Sequence, residues 1–153
     1  MDLELIASDA GPRTSCGIPT KPAGANFLDL PRFYVFHNVT LAAVNVAGSI
    51  RTDLKQVVDP RWDFYLRAVA AYPNQAAASQ IKLRFRWPDG RYSSNARIPL
   101  LVNIGNGVFA KTYTPEIFIP RGNRIGIELE NTNIAAQTPV FVFWGVHRVY
   151  FNG

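Results

Sequence analysis

Glu128 and Glu130 are the first side chains whose spacing could do chemistry. They alternate with Ile125, Ile127 and Leu129. On a strand, both carboxylates therefore share one face, about 6–7 Å apart. Two carboxylates at such a separation could equip a glycosidase. The commoner use of the pattern is charge pairing across strands, here with Lys82, Arg84 or Arg86. His37 and His147 each sit in an apolar stretch, far apart and without ligand spacing, so no metal site is expected. Cys16 is the only cysteine. It has no nearby base, and alone it forms neither an intrachain disulfide nor a cysteine zinc site. No serine lies in a nucleophile elbow and no glycine-rich loop joins a strand to a helix, so neither a nucleotide nor any other cofactor is expected. Trp144 is the one candidate platform for a sugar ring. Trp62 and Trp87 fall in phase with core positions and are expected to be buried.

The elements that must carry these residues are strands. Ile81, Leu83, Phe85 and Trp87 alternate with Lys82, Arg84 and Arg86, which sends four apolar groups to a core and three cations to the opposite face. Pro88-Asp89-Gly90 then supplies the dihedral presets of a hairpin turn into Arg91-Tyr92-Ser93. Further strands are expected at 33–41, 44–50, 62–69, 98–102, 109–113, 115–120, 125–129 and 140–151. Such spacing, with no amphipathic helix, predicts an all-β antiparallel sandwich over residues 33–153, jelly-roll-like in form. Residues 1–32 differ. Pro12, Pro19, Pro22 and Pro31 interleave with Gly11, Gly17 and Gly24, which predicts an extended N-terminal arm lying on another surface. Val140–Val146 is apolar on both faces. A two-sheet sandwich covers only the inner face of a strand, so either the arm or another subunit must cover Trp144 and its neighbours.

The bulk numbers agree with one folded domain. The chain has 153 residues, 48% of them hydrophobic and 18% charged, which excludes wholesale disorder. No apolar run approaches the roughly 20 residues of a membrane span. Met1-Asp2-Leu3-Glu4-Leu5 lacks the basic and apolar regions of a signal peptide, so none is expected. The net charge of +5 comes from dispersed residues, mostly arginine. Dispersion along the chain argues against a dedicated nucleic-acid module and suits docking on an acidic protein surface.

Longer motifs carry a resemblance. Trp62-Asp63-Phe64-Tyr65-Leu66-Arg67 is followed by Leu83-Arg84-Phe85-Arg86-Trp87-Pro88-Asp89-Gly90-Arg91-Tyr92-Ser93. Pro115-Glu116-Ile117-Phe118-Ile119-Pro120-Arg121-Gly122-Asn123 and Val142-Phe143-Trp144-Gly145-Val146-His147-Arg148-Val149-Tyr150 complete the order. Across residues 57–151 this resembles small jelly-roll-like virion proteins of tailed bacteriophages, such as capsid decoration (cement) and head–tail accessory proteins. The resemblance implies a non-enzymatic virion protein, made in the host cytoplasm and commonly trimeric. It would bind the major capsid protein and stabilise the shell by mass action. Docking contacts are expected from the arm, from Lys82, Arg84 and Arg86, and from Trp144, His147 and Tyr150. The alternative is a carbohydrate- or receptor-binding module of a tail or fibre.

Overall fold

The computed structural model describes residues 4–6, 25–71, 80–104 and 110–152. Its elements are β1 (Glu4–Ile6), β2 (Ala25–Phe36), β3 (Ile50–Val57), β4 (Phe64–Ala71), β5 (Ile81–Arg86), β6 (Ile98–Pro99), α1 (Leu100–Ile104), β7 (Lys111–Ile119), β8 (Arg124–Asn131) and β9 (Phe141–Asn152). Two antiparallel sheets pack as a sandwich. In one, β9 pairs with β2 on one side and with β4 and β1 on the other, and β7 follows β4. The second runs β3-β8-β5-β6. From β2 onward the strands alternate between the sheets, apart from the step β5 to β6. Local alternation thus has to satisfy a core built from distant segments.

That core is where the period-two pattern sends its apolar residues. Leu83 and Phe85 face Leu129 and Ile127 across the ladder, Ile81 faces Asn131, and all are buried. Phe85 packs against Phe141 and Phe143 of the other sheet, ring centroids 6.0 and 5.3 Å away. Trp87 is buried as expected, edge-on to Tyr113, whereas Trp62 is only half-buried. Gly145 lets β9 approach β4. A Cβ there would overlap the Tyr65 carbonyl oxygen and stand 2.9 Å from the Phe64 ring.

The strand expected at 44–50 is a turn, and β3 starts only at Ile50. Its β-branched composition is overridden by backbone. Asn45 and Gly48 adopt positive φ, 62° and 90°, outside the backbone range of a regular strand. The turn is tied down by the Asn131 side chain, which donates to the Ala42 carbonyl. The hairpin at Pro88-Asp89-Gly90 forms, with Gly90 at φ 89° and Trp87 N–H donating to the Arg91 carbonyl. Its return strand breaks after Tyr92 and resumes as the two-residue β6. The stretch 98–102 then continues into α1 rather than a strand. The separate strands expected at 109–113 and 115–120 merge into β7, with Pro115 inside it.

Residues 25–32, expected to belong to the arm, are extended and form part of β2, paired residue for residue with β9. Pro31 is compatible with that because β2 has one strand partner among the described residues. A proline in an edge strand can turn its missing donor outward. Residues 7–24, with Cys16, lie outside the described residues.

Candidate functional site

The sheet that contains β9 presents an apolar outer face and, among the described residues, an unpaired edge at β2. Among the described residues the twelve-residue β2 pairs with β9 alone. Phe27, Leu28, Leu30, Phe33 and Val35 on that strand are all exposed, from 44% at Leu30 to 59% at Phe33. Trp144 of β9, opposite Phe33, is 44% exposed. The doubly apolar strand is therefore covered only in part. Val146 and Tyr150 on the same outer face are enclosed within the protomer, and Trp144 is not.

A charged knot sits between these apolar groups. Asp29 of β2 receives Arg148 through both carboxylate oxygens, at 2.8 and 2.9 Å, and Arg67 of β4 at 3.0 Å. Arg67 also donates to Glu116 of β7 at 2.6 Å. The Arg148 hydrogen bond holds the Asp29 carboxyl below its usual range against the opposing effect of burial. The knot joins four strands, and its charges cancel, so the surface around it stays apolar in character. Beside it lies an open trough of about 510 Å³ between Trp144 and β7, lined by Arg67, Thr112, Thr114 and Glu116.

The opposite sheet presents a basic outer face. Lys82, Arg84 and Arg86 stand in a row on β5, as the alternation requires. Glu128 and Glu130 stand beside them on β8 and are held by guanidinium groups. Arg84 donates to Glu128 at 2.5 Å, and Arg97 reaches Glu130 at 3.1 Å and Glu128 at 3.5 Å. The carboxylates are thus engaged in cross-strand pairing. Arg84 is one of the three cations, with Lys82 and Arg86, whose spacing suits that role. No such signal in the sequence marks Arg97, which lies in the irregular return from the hairpin and is brought there only by the β5–β6 pairing. Arg84 also lies over the Tyr92 ring, 4.1 Å from its centroid.

Of the six side chains named for docking, the fold divides four between opposite faces: Lys82, Arg84 and Arg86 on one, Trp144 on the other. His147 and Tyr150 are buried, at 5% and 3% exposure. His147 faces inward because odd-numbered positions of β9 point to the core. Its Nε2 lies 2.8 Å from the Tyr34 hydroxyl, which itself accepts the Asp59 N–H at 2.9 Å. The phenol proton is then free for Nε2, an arrangement that suits a neutral imidazole. Burial lowers the His147 pKa accordingly. His37 lies seven register positions beyond Leu30, the β2 residue opposite His147, roughly 23 Å along the strand. The fold does not bring the two histidines together. No group of three or more potential metal ligands occurs among the described residues.

Comparison with protein-family models, with curated proteins and with solved structures finds no match to this chain.

Proposed function

We propose that this chain is a non-enzymatic structural protein that assembles through the free edge and apolar face of its β2–β9 sheet, first with further copies of itself. The observation that carries the reading is β2, an edge strand among the described residues, with Phe27, Phe33 and Val35 exposed on the outer face and Leu28 and Leu30 exposed on the opposite side. A long apolar edge left open is a template for uncontrolled pairing, so it persists only where a partner covers it. A second copy is the occupant that this surface suits. Its charges are internally neutralised by the Asp29 knot, so two identical faces meet without repulsion.

The assembly suggested by the resemblance is a phage particle, with the chain as a capsid decoration protein and the trimer as its oligomer. Binding the closed shell and not its loosened form would then stabilise the shell. Light scattering on the purified protein, followed by co-sedimentation with shells, tests this. A stable monomer that leaves the shells unbound overturns it.

The trough beside Trp144 favours one other reading, a carbohydrate- or receptor-binding module. A half-exposed indole flanked by threonine hydroxyls and an Arg–Glu pair has the chemistry to stack a sugar ring and hydrogen-bond its hydroxyls. Glycan-array binding that disappears in Trp144→Ala would select this reading over self-assembly.

A further inference from the structure

Some of the cations dispersed along the sequence share one surface. Three that form no ion pair among the described residues, Lys55, Arg86 and Arg124, line one open groove of about 460 Å³ on the basic sheet. Lys55 on β3 and Arg86 on β5 both face Gly126 on β8, which lies between them in the ladder. Arg124 shares the outer face with Gly126, two residues earlier on the same strand. Gly126 has ordinary backbone angles, and its lack of a side chain keeps the floor low. A Cβ there would meet the Arg86 Cβ at 3.2 Å. On the far wall β3 shifts register between Arg51 and Leu54, a bulge that takes Thr52 and Asp53 out of the ladder beside the groove.

The two acids that line the groove do not cancel this charge. Asp53 is held by Arg51 at 2.7 Å, and Glu128 is shared by Arg84 and Arg97. Three cations brought together without counter-charge repel one another, and a ligand of opposite charge relieves that. A single carboxylate would leave most of the charge unbalanced. Arginine forks match the tetrahedral oxygens of phosphate, and a lysine adds a point charge. The volume lies within the range of small-molecule sites and exceeds what one oxyanion fills.

We propose that the groove over Gly126 is a binding site for a phosphate-class oxyanion carried on a small ligand, gripped by Lys55, Arg86 and Arg124. It lies on the sheet opposite the apolar face and is independent of self-assembly.

The probe is inorganic pyrophosphate, titrated calorimetrically into the full chain at low salt, where exposed charges are least screened. One saturable site is expected. Arg86→Gln with Arg124→Gln should weaken it about tenfold or more, because each removes a charge-assisted contact. Gly126→Ala keeps every charge but raises the floor, and is expected to weaken binding as well. Lys111→Gln, which removes an exposed cation on the other sheet, should leave binding unchanged. If the double variant does not fold, Lys55→Gln takes its place with the same expectation. Absence of saturable binding, binding that survives in the groove variants, or an equal loss in Lys111→Gln overturns the proposal. So does a short single-stranded oligonucleotide that binds more tightly than pyrophosphate and depends on Lys82 as strongly as on Arg86. That outcome would make the whole basic face the site, and nucleic acid its ligand.

Discussion

Phe33 of β2 stacks on Trp144 of β9, with ring centroids 6.2 Å apart and planes 12° from parallel, and both rings remain open to solvent. Stacking in the open contributes little to the fold of the protomer. It does hold two large apolar surfaces in fixed orientation at a sheet edge, which lowers the ordering entropy lost when a partner covers them.

Phe33→Asp should therefore leave the protomer almost as stable as before, within about 0.5–1 kcal/mol by chemical denaturation. Its mass by light scattering should fall to that of a monomer, because a carboxylate would be buried unpaired at the contact. An unchanged oligomer places the interface elsewhere.

Gly145→Ala should behave in the opposite way. The added methyl would overlap the Tyr65 carbonyl and crowd the Phe64 ring, so β9 and β4 would have to separate. The expected loss is about 3 kcal/mol or more, read as a lowered denaturation midpoint. A midpoint close to wild type would mean that the strands can part without loss.

Glu128→Gln removes the charge that Arg84 and Arg97 share, in a site where the Glu128 side chain is 11% exposed and the arginines 22% and 25%. Partial exposure moderates the penalty of the stranded cations, so a loss of about 1–3 kcal/mol is expected. Glycosidase assays on wild type and variant should both read zero. Hydrolysis by the wild type that disappears in the variant would restore the catalytic reading of Glu128 and Glu130.

Stability should fall as the solution is acidified below about pH 6.5, through His147. In the unfolded chain its imidazole takes up a proton near that pH. In the folded chain burial is the main cause of a lower pKa, assisted by Arg32 and Arg61 and opposed by Asp59. Below 6.5 the unfolded state therefore binds more protons. The contribution of His147 is complete above 6.5 and is lost as pH falls through the folded value. Comparing thermal midpoints at pH 7.5 and 5.5 tests this: His147→Asn should lower the midpoint at pH 7.5 and shrink the difference between the two. A wild-type midpoint that is flat over this window contradicts the assignment.

Fold class and the orientation of most strand residues are legible in local pattern. Alternation at 81–87 and 125–129 is a local property of a pleated backbone, so it places Phe85, Ile127 and Leu129 in the core and Lys82, Arg84, Arg86, Glu128 and Glu130 on an outer face, while the choice of Arg84 as the partner of Glu128 comes from the ladder. Turn chemistry at Pro88-Asp89-Gly90 is equally local. Composition misled at 44–50, where β-branched side chains coincide with the positive φ of Asn45 and Gly48. Which strands meet follows only from the packed fold. It extended β2 back to Ala25 because β9 is twelve residues long and offers a partner at each position. It turned His147 inward, delivered Arg97 to Glu130 and gathered Lys55, Arg86 and Arg124 around Gly126. The physical reason is range. Strand propensity and side-chain period act over a few residues, whereas a sandwich whose chain alternates between sheets builds every site from segments tens of residues apart, and their register is set by the packing of the shared core.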